Sequence, residues 1–289
     1  MRVLIIGGGG MLGHKLVQVW RNKFDVWTTV RKNFKHYQKY KIYQRPKTFE
    51  NIDVHNINSI QEIIEQIKPA VIVNAAGIIK QVPSAKNVIK TLSINSIFPH
   101  QLSDLAEQFQ FRLISISTDC VFSGNKGKYT ETDTADASDL YGKSKNLGEV
   151  SAENCLTVRT SIIGRELETS HSLVEWFLSN RGKSVKGFVN AIYTGFPTVV
   201  LADILADLIE NYPRLNGLYH VSSEPINKFD LLTLINKAYR TKIEIEPFED
   251  FVIDRSLDST KFRRATNFKP LNWKEMINRM AQDNEIYQK

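Results

Sequence analysis

Tyr141 and Lys145 stand four residues apart in Tyr141-Gly142-Lys143-Ser144-Lys145, downstream of Ser117-Thr118-Asp119. Where a helix opens at that point, both side chains project from one face. A free phenol has a pKa of about 10 and is a reluctant acid-base group at neutral pH. A neighbouring ammonium stabilises the phenolate and lowers that value. Tyr141 could then hand a proton to a carbonyl oxygen held by the Thr118 hydroxyl, while a nicotinamide cofactor delivers hydride to the carbonyl carbon. The candidate catalytic set is therefore Thr118, Tyr141 and Lys145, with Lys145 also binding the nicotinamide ribose. Asp119 is a candidate to orient substrate or join a proton relay. Cys120 adjoins it, but no histidine nearby in sequence suggests a base for a nucleophile. The Tyr-x-x-x-Lys spacing alone says little, since Tyr37/Lys41 and Tyr43/Lys47 repeat it in an irregular polar stretch. Position at a helix start, behind a strand, distinguishes the third copy.

A second constellation opens the chain. Val3 to Ile6 read as a fully buried strand that breaks into Gly7-x-x-Gly10-x-x-Gly13 before a helical pattern. Glycines there let the backbone turn tightly and approach a diphosphate, whose charge would face the N-terminus of the helix starting near Met11. Gly7, Gly10, Met11, Leu12 and Gly13 are the candidate dinucleotide loop. Arg31-Lys32 directly follow the second strand, where a basic residue accommodates the 2′-phosphate of NADP and an acidic one would take the 2′-hydroxyl of NAD. Asp25 lies at the other end of that strand. NADP(H) is the expected cofactor, with NAD(H) as the alternative. Asn74-Ala75-Ala76-Gly77 end another apolar strand, and such small residues would let a cofactor pass close over the sheet edge.

The elements that must position these groups alternate. Strands are expected at Val26 to Val30, Thr48 to Asp53, Ala70 to Asn74, Arg112 to Ser117 and Leu156 to Thr160. Helical patterns lie between them: Met11 to Lys23, Ser59 to Ile67, one long helix from Asn87 to Phe109 containing Pro99, and Tyr141 to Ala152. This alternation predicts an α/β fold with a doubly wound, Rossmann-like parallel sheet, in which ligands bind outside the carboxyl ends of the strands. Helices at Ser172 to Ser179, Val199 to Glu210 and Phe229 to Tyr239, and a strand at Gly217 to Val221, follow with less regularity. Residues 1–164, with 196–225 returning to them, are read as the cofactor domain, and 165–195 with 226–289 as a smaller substrate lobe.

The composition is that of an ordinary globular chain, 42% hydrophobic and 24% charged, and no apolar run is long enough to span a bilayer. The first strand follows Met1 without room for a signal peptide, so a cytoplasmic location is expected. Cys120 and Cys155 match neither a disulfide scaffold nor a zinc pattern, and no metal site is expected. The net charge of +7 is spread along the chain with no recognised nucleic-acid motif. A solvated surface or steering of small anions explains it better than nucleic acid.

The glycine spacing resembles the extended, sugar-nucleotide branch of the short-chain dehydrogenase/reductase superfamily. A closer resemblance rests on Ser117-Thr118-Asp119-Cys120-Val121-Phe122-Ser123-Gly124, then Glu131-Thr132-Asp133, then Tyr141 to Lys145 with Gly148-Glu149. It continues through Val158-Arg159-Thr160-Ser161, Gly195-Phe196-Pro197-Thr198, Gly217-Leu218-Tyr219-His220, and Arg255-Ser256-Leu257-Asp258 ahead of Lys261-Phe262. In order and extent the chain resembles the dTDP-4-dehydrorhamnose reductase family. That resemblance implies reduction of the C4 ketone of a 4-keto-6-deoxy sugar nucleotide for surface polysaccharide synthesis, with a homodimer known among relatives. It places Asp53 and Val54 at the adenine, and Lys80, Thr118, Asp119, Val121, Phe122, Tyr193 and Arg255 around the substrate, Arg255 near its diphosphate. Two stretches depart from the family pattern: Ile162 replaces an aromatic residue, and Ile78-Ile79-Lys80-Gln81 replaces the usual loop. Both leave a UDP-linked N-acetyl ketosugar open as substrate. An epimerase or dehydratase on the same scaffold, and a non-catalytic subunit resembling that of methionine adenosyltransferase, are the alternatives.

Overall fold

The computed structural model describes residues 1–287. Seven strands form one sheet: β1 (Arg2–Ile6), β2 (Asp25–Thr29), β3 (Thr48–Phe49), β4 (Val71–Asn74), β5 (Arg112–Thr118), β6 (Cys155–Thr160) and β7 (Gly217–His220). Their order is β7-β6-β5-β4-β1-β2-β3, and every neighbouring pair is parallel. The order reverses between β1 and β4, so the loops following Ile6 and Asn74 meet at the switch point where such sheets bind ligands.

The strands are apolar on both faces because both faces are covered. On one side Val3, Ile5, Val71, Val73, Ile114 and Val158 pack against helices Met11–Trp20 and Thr198–Glu210, and the Trp20 indole donates to the Ala202 carbonyl at 2.9 Å. On the other side Leu4, Ile6, Ile72 and Leu113 meet Ile60, Ile63, Ile64 and Ile67 of helix Ile57–Ile67, and Phe98, Leu102 and Leu105 of helix Phe98–Phe109. Each fully buried isoleucine of this kind contributes about 1.5–3 kcal/mol. The four-isoleucine face of helix Ile57–Ile67 thus outweighs its lack of a side-chain N-cap.

Three elements differ from the sequence expectation. The third strand is only Thr48–Phe49, because the chain beyond it turns at Asn51, which takes a left-handed φ of 59°. The helix carrying Tyr141 is Leu140–Leu147, not 141–152. It stops where Gly148 closes on the Asn95 backbone; a Cβ at Gly148 would lie 1.9 Å from the Asn95 carbonyl oxygen. The single long helix expected around Pro99 is three segments: Val88–Leu92, a π-helical turn Ser93–Ile97, and Phe98–Phe109. Pro99 has no N–H to donate and enters the first turn of the last segment, where that loss costs nothing. The π turn widens the helix and swings Asn95 toward the sheet edge, as such turns do at functional sites.

Later residues add small sheets beyond β6. Ile226–Asn227, Ala191–Tyr193 and Ile253–Asp254 form one three-stranded sheet, and Ser184–Phe188 pairs with Glu244–Phe248. Among the described residues, no helix is long and apolar enough to cross a membrane.

Candidate active site

The glycine loop is a steric requirement at three positions. Gly7 has φ +88°, and a Cβ there would lie 2.9 Å from the Ala76 nitrogen, so the loops after β1 and β4 touch backbone to backbone. A Cβ on Gly13 would lie 2.1 Å from the Gly7 carbonyl oxygen, and one on Gly8 would lie 2.0 Å from the Thr28 hydroxyl. Gly10 begins helix Met11–Trp20 without a side-chain cap, and no acidic residue occupies the first turn. The first intrahelical bond is His14 N–H to the Gly10 carbonyl at 3.0 Å, leaving the amides of Met11, Leu12 and Gly13 directed out of the helix. These amides, with the helix dipole behind them, suit a diphosphate. Leu12 contributes backbone alone, since its side chain is buried in the core.

Arg31 and Lys32 follow β2 at the same edge and are exposed. Lys32 donates to Glu168 at 2.8 Å, and His36 contacts the other oxygen of that carboxylate. Asp25 lies at the opposite end of β2, where Lys47 and Arg2 hold its carboxyl down to about 2. Tyr43 donates to the Gly8 carbonyl at 2.8 Å, and Tyr37 abuts Gly9. Asp53 is exposed and accepts from the amide and ring of His55 at 3.1 and 2.7 Å; Val54 is half-buried beside it. The Asn74 side chain accepts from the Ala76 amide at 3.2 Å and fixes the turn through Ala75 to Gly77.

Thr118 ends β5, and Asp139 caps the next helix by accepting from the Gly142 amide at 2.9 Å. That cap sets Tyr141 in the first turn and Lys145 one turn on, against the end of β5. Gly142 must be glycine, because a Cβ would lie 2.2 Å from the Cys120 carbonyl oxygen. The Lys145 ammonium donates to the Ile116 carbonyl at 2.7 Å, and burial pulls it down to about 8. Burial drives the Tyr141 phenol upward, with the nearby Thr118 hydroxyl acting in the opposite sense. Asp119 is buried and accepts from the Thr118 hydroxyl at 3.1 Å; desolvation raises it, opposed by Lys228 and Arg255. The Cys120 thiol is pushed up to about 12 by burial and by Asp119, so it is unreactive as a nucleophile.

The residues expected around the substrate fall into two groups. Asp119, Tyr193 and Arg255 converge with Thr118 and Tyr141; the Arg255 guanidinium donates to the Phe122 carbonyl at 2.8 Å and lies 3.8 Å from the Cys120 sulfur. The Tyr193 hydroxyl is buried with no hydrogen-bond partner among the described residues, next to the Ser161–Gly195 turn. Val121 and Phe122 continue the turn that begins at Asp119. Both side chains are fully buried in a separate core, Phe122 stacked on Tyr129 at 4.1 Å, because packing claims them and leaves only their backbone to the site. Lys80 ion-pairs with the capping Asp139 at 3.0 Å.

Other groups carry no obvious sequence signal of their role. Asn95 fixes the loop after β4 through the Ile78 amide at 2.8 Å and the Ile78 carbonyl at 3.0 Å, and donates to Ser144 on the Tyr141 helix at 3.1 Å. Its one hint is an amide side chain within a helical pattern, which disfavours regular helix. Behind Ser117 lies a buried chain: Ser117 donates to Glu149 at 2.6 Å, Arg159 grips both Glu149 oxygens at 2.7 and 2.6 Å, and Arg159 donates to His220 at 3.2 Å. Burial and Arg159 hold His220 down to about 4, so its other nitrogen, as N–H, donates to the Tyr129 carbonyl at 2.9 Å. Lys228, whose ammonium sits 4.5 Å above the Tyr193 ring, enters the site from helix Lys228–Tyr239.

A parallel sheet ordered 3-2-1-4-5-6-7, with a glycine loop at its switch point and a tyrosine–lysine helix beside β5, defines a Rossmann-like protein of the short-chain dehydrogenase/reductase type. The chain belongs to the family described as the RmlD substrate binding domain, whose model matches residues 1–286. It is 26% identical over 304 residues to the dTDP-4-dehydrorhamnose reductase of Aggregatibacter actinomycetemcomitans, covering 96% of this chain and 97% of that one. It is 27% identical over 255 residues to the methionine adenosyltransferase 2 subunit beta of Mus musculus, covering 82% and 72%. A hypothetical dTDP-4-dehydrorhamnose reductase from Sulfolobus tokodaii superposes with a TM-score of 0.76 at 25% identity, covering 94% and 98%. The Bacillus anthracis dTDP-4-dehydrorhamnose reductase, solved with NADP, superposes at 0.77 with 21% identity, covering 96% of each chain.

Proposed function

We propose that this protein is an NADPH-dependent reductase of the C4 ketone of a 4-keto-6-deoxy sugar nucleotide. The observation that carries the reading is the grouping of Thr118, Tyr141 and Lys145 at the end of β5, one strand over from the switch point between β1 and β4 where the glycine loop lies. The chain's family and its 26% identity to a dTDP-4-dehydrorhamnose reductase support the substrate class.

The residues present fit a dinucleotide. The amides after Gly10 would hold its diphosphate, Arg31 and Lys32 its 2′-phosphate, Asp53 and Val54 its adenine end, Ala75 to Gly77 its path over the sheet, and Lys145 its nicotinamide ribose. When bound in reduced form, that group supplies hydride. The chain's own residues handle the oxygen. Thr118 and Tyr141 hydroxyls grip the ketone, and Tyr141 gives up its proton as negative charge develops there. The raised phenol keeps its proton at rest, and the Lys145 ammonium one helical turn away would offset the phenolate that remains. With Lys145 near 8, about nine-tenths of it is charged at pH 7. Asp119 and Arg255 orient the sugar.

NADPH consumption with dTDP- and UDP-linked 4-keto-6-deoxy sugars tests the proposal. Turnover on one of them, reduced roughly 100-fold or more in Tyr141→Phe, is the expected result. NADPH binding with no turnover on any of them overturns it and favours the binding-subunit reading, which the likeness to methionine adenosyltransferase 2 subunit beta supports.

A further inference from the structure

Lys228 is the one cation of this site that sequence reasoning passes over. It occupies the first turn of helix Lys228–Tyr239, capped by Asn227, whose side chain accepts from the Asp230 amide at 2.7 Å. The three-stranded sheet pairs Ile226 with Tyr193 and Asp254 with Ile192, so Lys228, Tyr193 and Arg255 emerge along one edge. Arg255 anchors that edge to the Cys120–Phe122 turn directly after Thr118-Asp119. Asp119 and Lys228 each feel the other's charge, yet they form no ion pair within 4 Å among the described residues. Lys228 rests instead on the Tyr193 ring, and the Asp119 carboxylate accepts from the Thr118 hydroxyl.

Asp119 is buried and Lys228 half-buried, and with no ion pair between them a third group can bridge the two charges. A hydroxyl is the group that fits, since it donates to a carboxylate and accepts from an ammonium at once. We infer that Lys228 and Asp119 bind one ring hydroxyl of the sugar between them, making Lys228 a substrate-specificity residue that fixes which face of the pyranose meets Tyr141. The inference rests on the sugar-nucleotide reading of the site, and it names a contact absent from the Thr118, Tyr141 and Lys145 set. Arg255, fixed on the Phe122 carbonyl, stays free to face the anionic part of the ligand.

The test is calorimetric binding of dTDP-glucose, UDP-glucose and their 2-deoxy and 3-deoxy counterparts to the wild-type protein, Lys228→Met and Lys228→Gln. NADPH affinity and the unfolding midpoint serve as controls for folding. The expected result is a loss of about 10- to 100-fold in sugar-nucleotide affinity in both variants, with NADPH binding unchanged. One deoxy analogue should bind the wild-type protein as weakly as the parent binds Lys228→Met, with no further loss when the two changes are combined. Equal affinity in wild type and variants, or full additivity with every deoxy analogue, overturns the inference. Failure of the wild-type protein to bind any of these sugar nucleotides also overturns it, together with the reading it rests on. Turnover of a ketosugar with unaltered KM in Lys228→Met overturns the inference alone.

Discussion

Glu149→Gln removes one charge from the buried chain behind Ser117 and leaves its partner in place. Arg159 is 5% exposed and Glu149 11%, and the guanidinium grips the carboxylate through two bonds of 2.6–2.7 Å while lying 5.1 Å from the Phe122 ring. His220, neutral with its pKa near 4, gives Arg159 a lone pair but no charge. The glutamine amide keeps one acceptor and turns an NH2 toward a guanidinium that can only donate. Breaking a buried pair on one side costs about 3–5 kcal/mol, whereas an exposed pair is worth about 0–1 kcal/mol. The low exposure selects the first figure. At roughly 2 °C per kcal/mol for a chain of this size, the unfolding midpoint should fall by about 6–10 °C. Thermal and urea denaturation measure it. Glu149→Gln/Arg159→Met should recover at least half of the loss, since it removes both charges. A single-variant loss below about 1 kcal/mol, or a double variant as unstable as the sum of the two singles, would refute the assignment of this pair as a buried, mutually dependent unit. The same substitution touches the chemistry, because the Glu149 charge raises Lys145 and its loss moves Lys145 further down.

Lys145 also sets a pH limit. Its ammonium is present below its folded-state pKa of about 8 and absent above it, so kcat/KM for ketone reduction should fall as pH rises through about 8. A profile from pH 6 to 10 reads this, and a flat profile to pH 10 removes Lys145 from the proton-transfer step. Gly13→Ala drives a Cβ to 2.1 Å from the Gly7 carbonyl and should cost about 1–3 kcal/mol together with most NADPH affinity, by melting and fluorescence titration. Gly182→Ala is the control: its φ of +79° costs about 1–2 kcal/mol, but nothing lies within 4 Å and NADPH affinity should hold.

The chain's linear pattern determined the sheet and its ligand edge. Apolar runs such as Val3 to Ile6 and Val71 to Val73, each bounded by turn residues, read as strands buried on both faces, and the glycines after the first are forced by backbone contacts at Ala76 and Gly7. The positions of Thr118, Tyr141 and Lys145 follow from that pattern as well, because a strand end and a helix start fix side-chain direction locally. What tertiary structure decided are the meetings of distant residues. Phe122 looks like a site residue in its motif, but stacking on Tyr129 and Arg159 claims its ring. Asn95 becomes a clamp only once a π turn swings it to Ile78 and Ser144. Lys228 is an unremarkable lysine until the pairing of Ile226 with Tyr193 carries it to the rim of the candidate site. Propensity and spacing act over a few residues, whereas desolvation and charge coupling depend on which segments pack together, and no local pattern encodes that pairing.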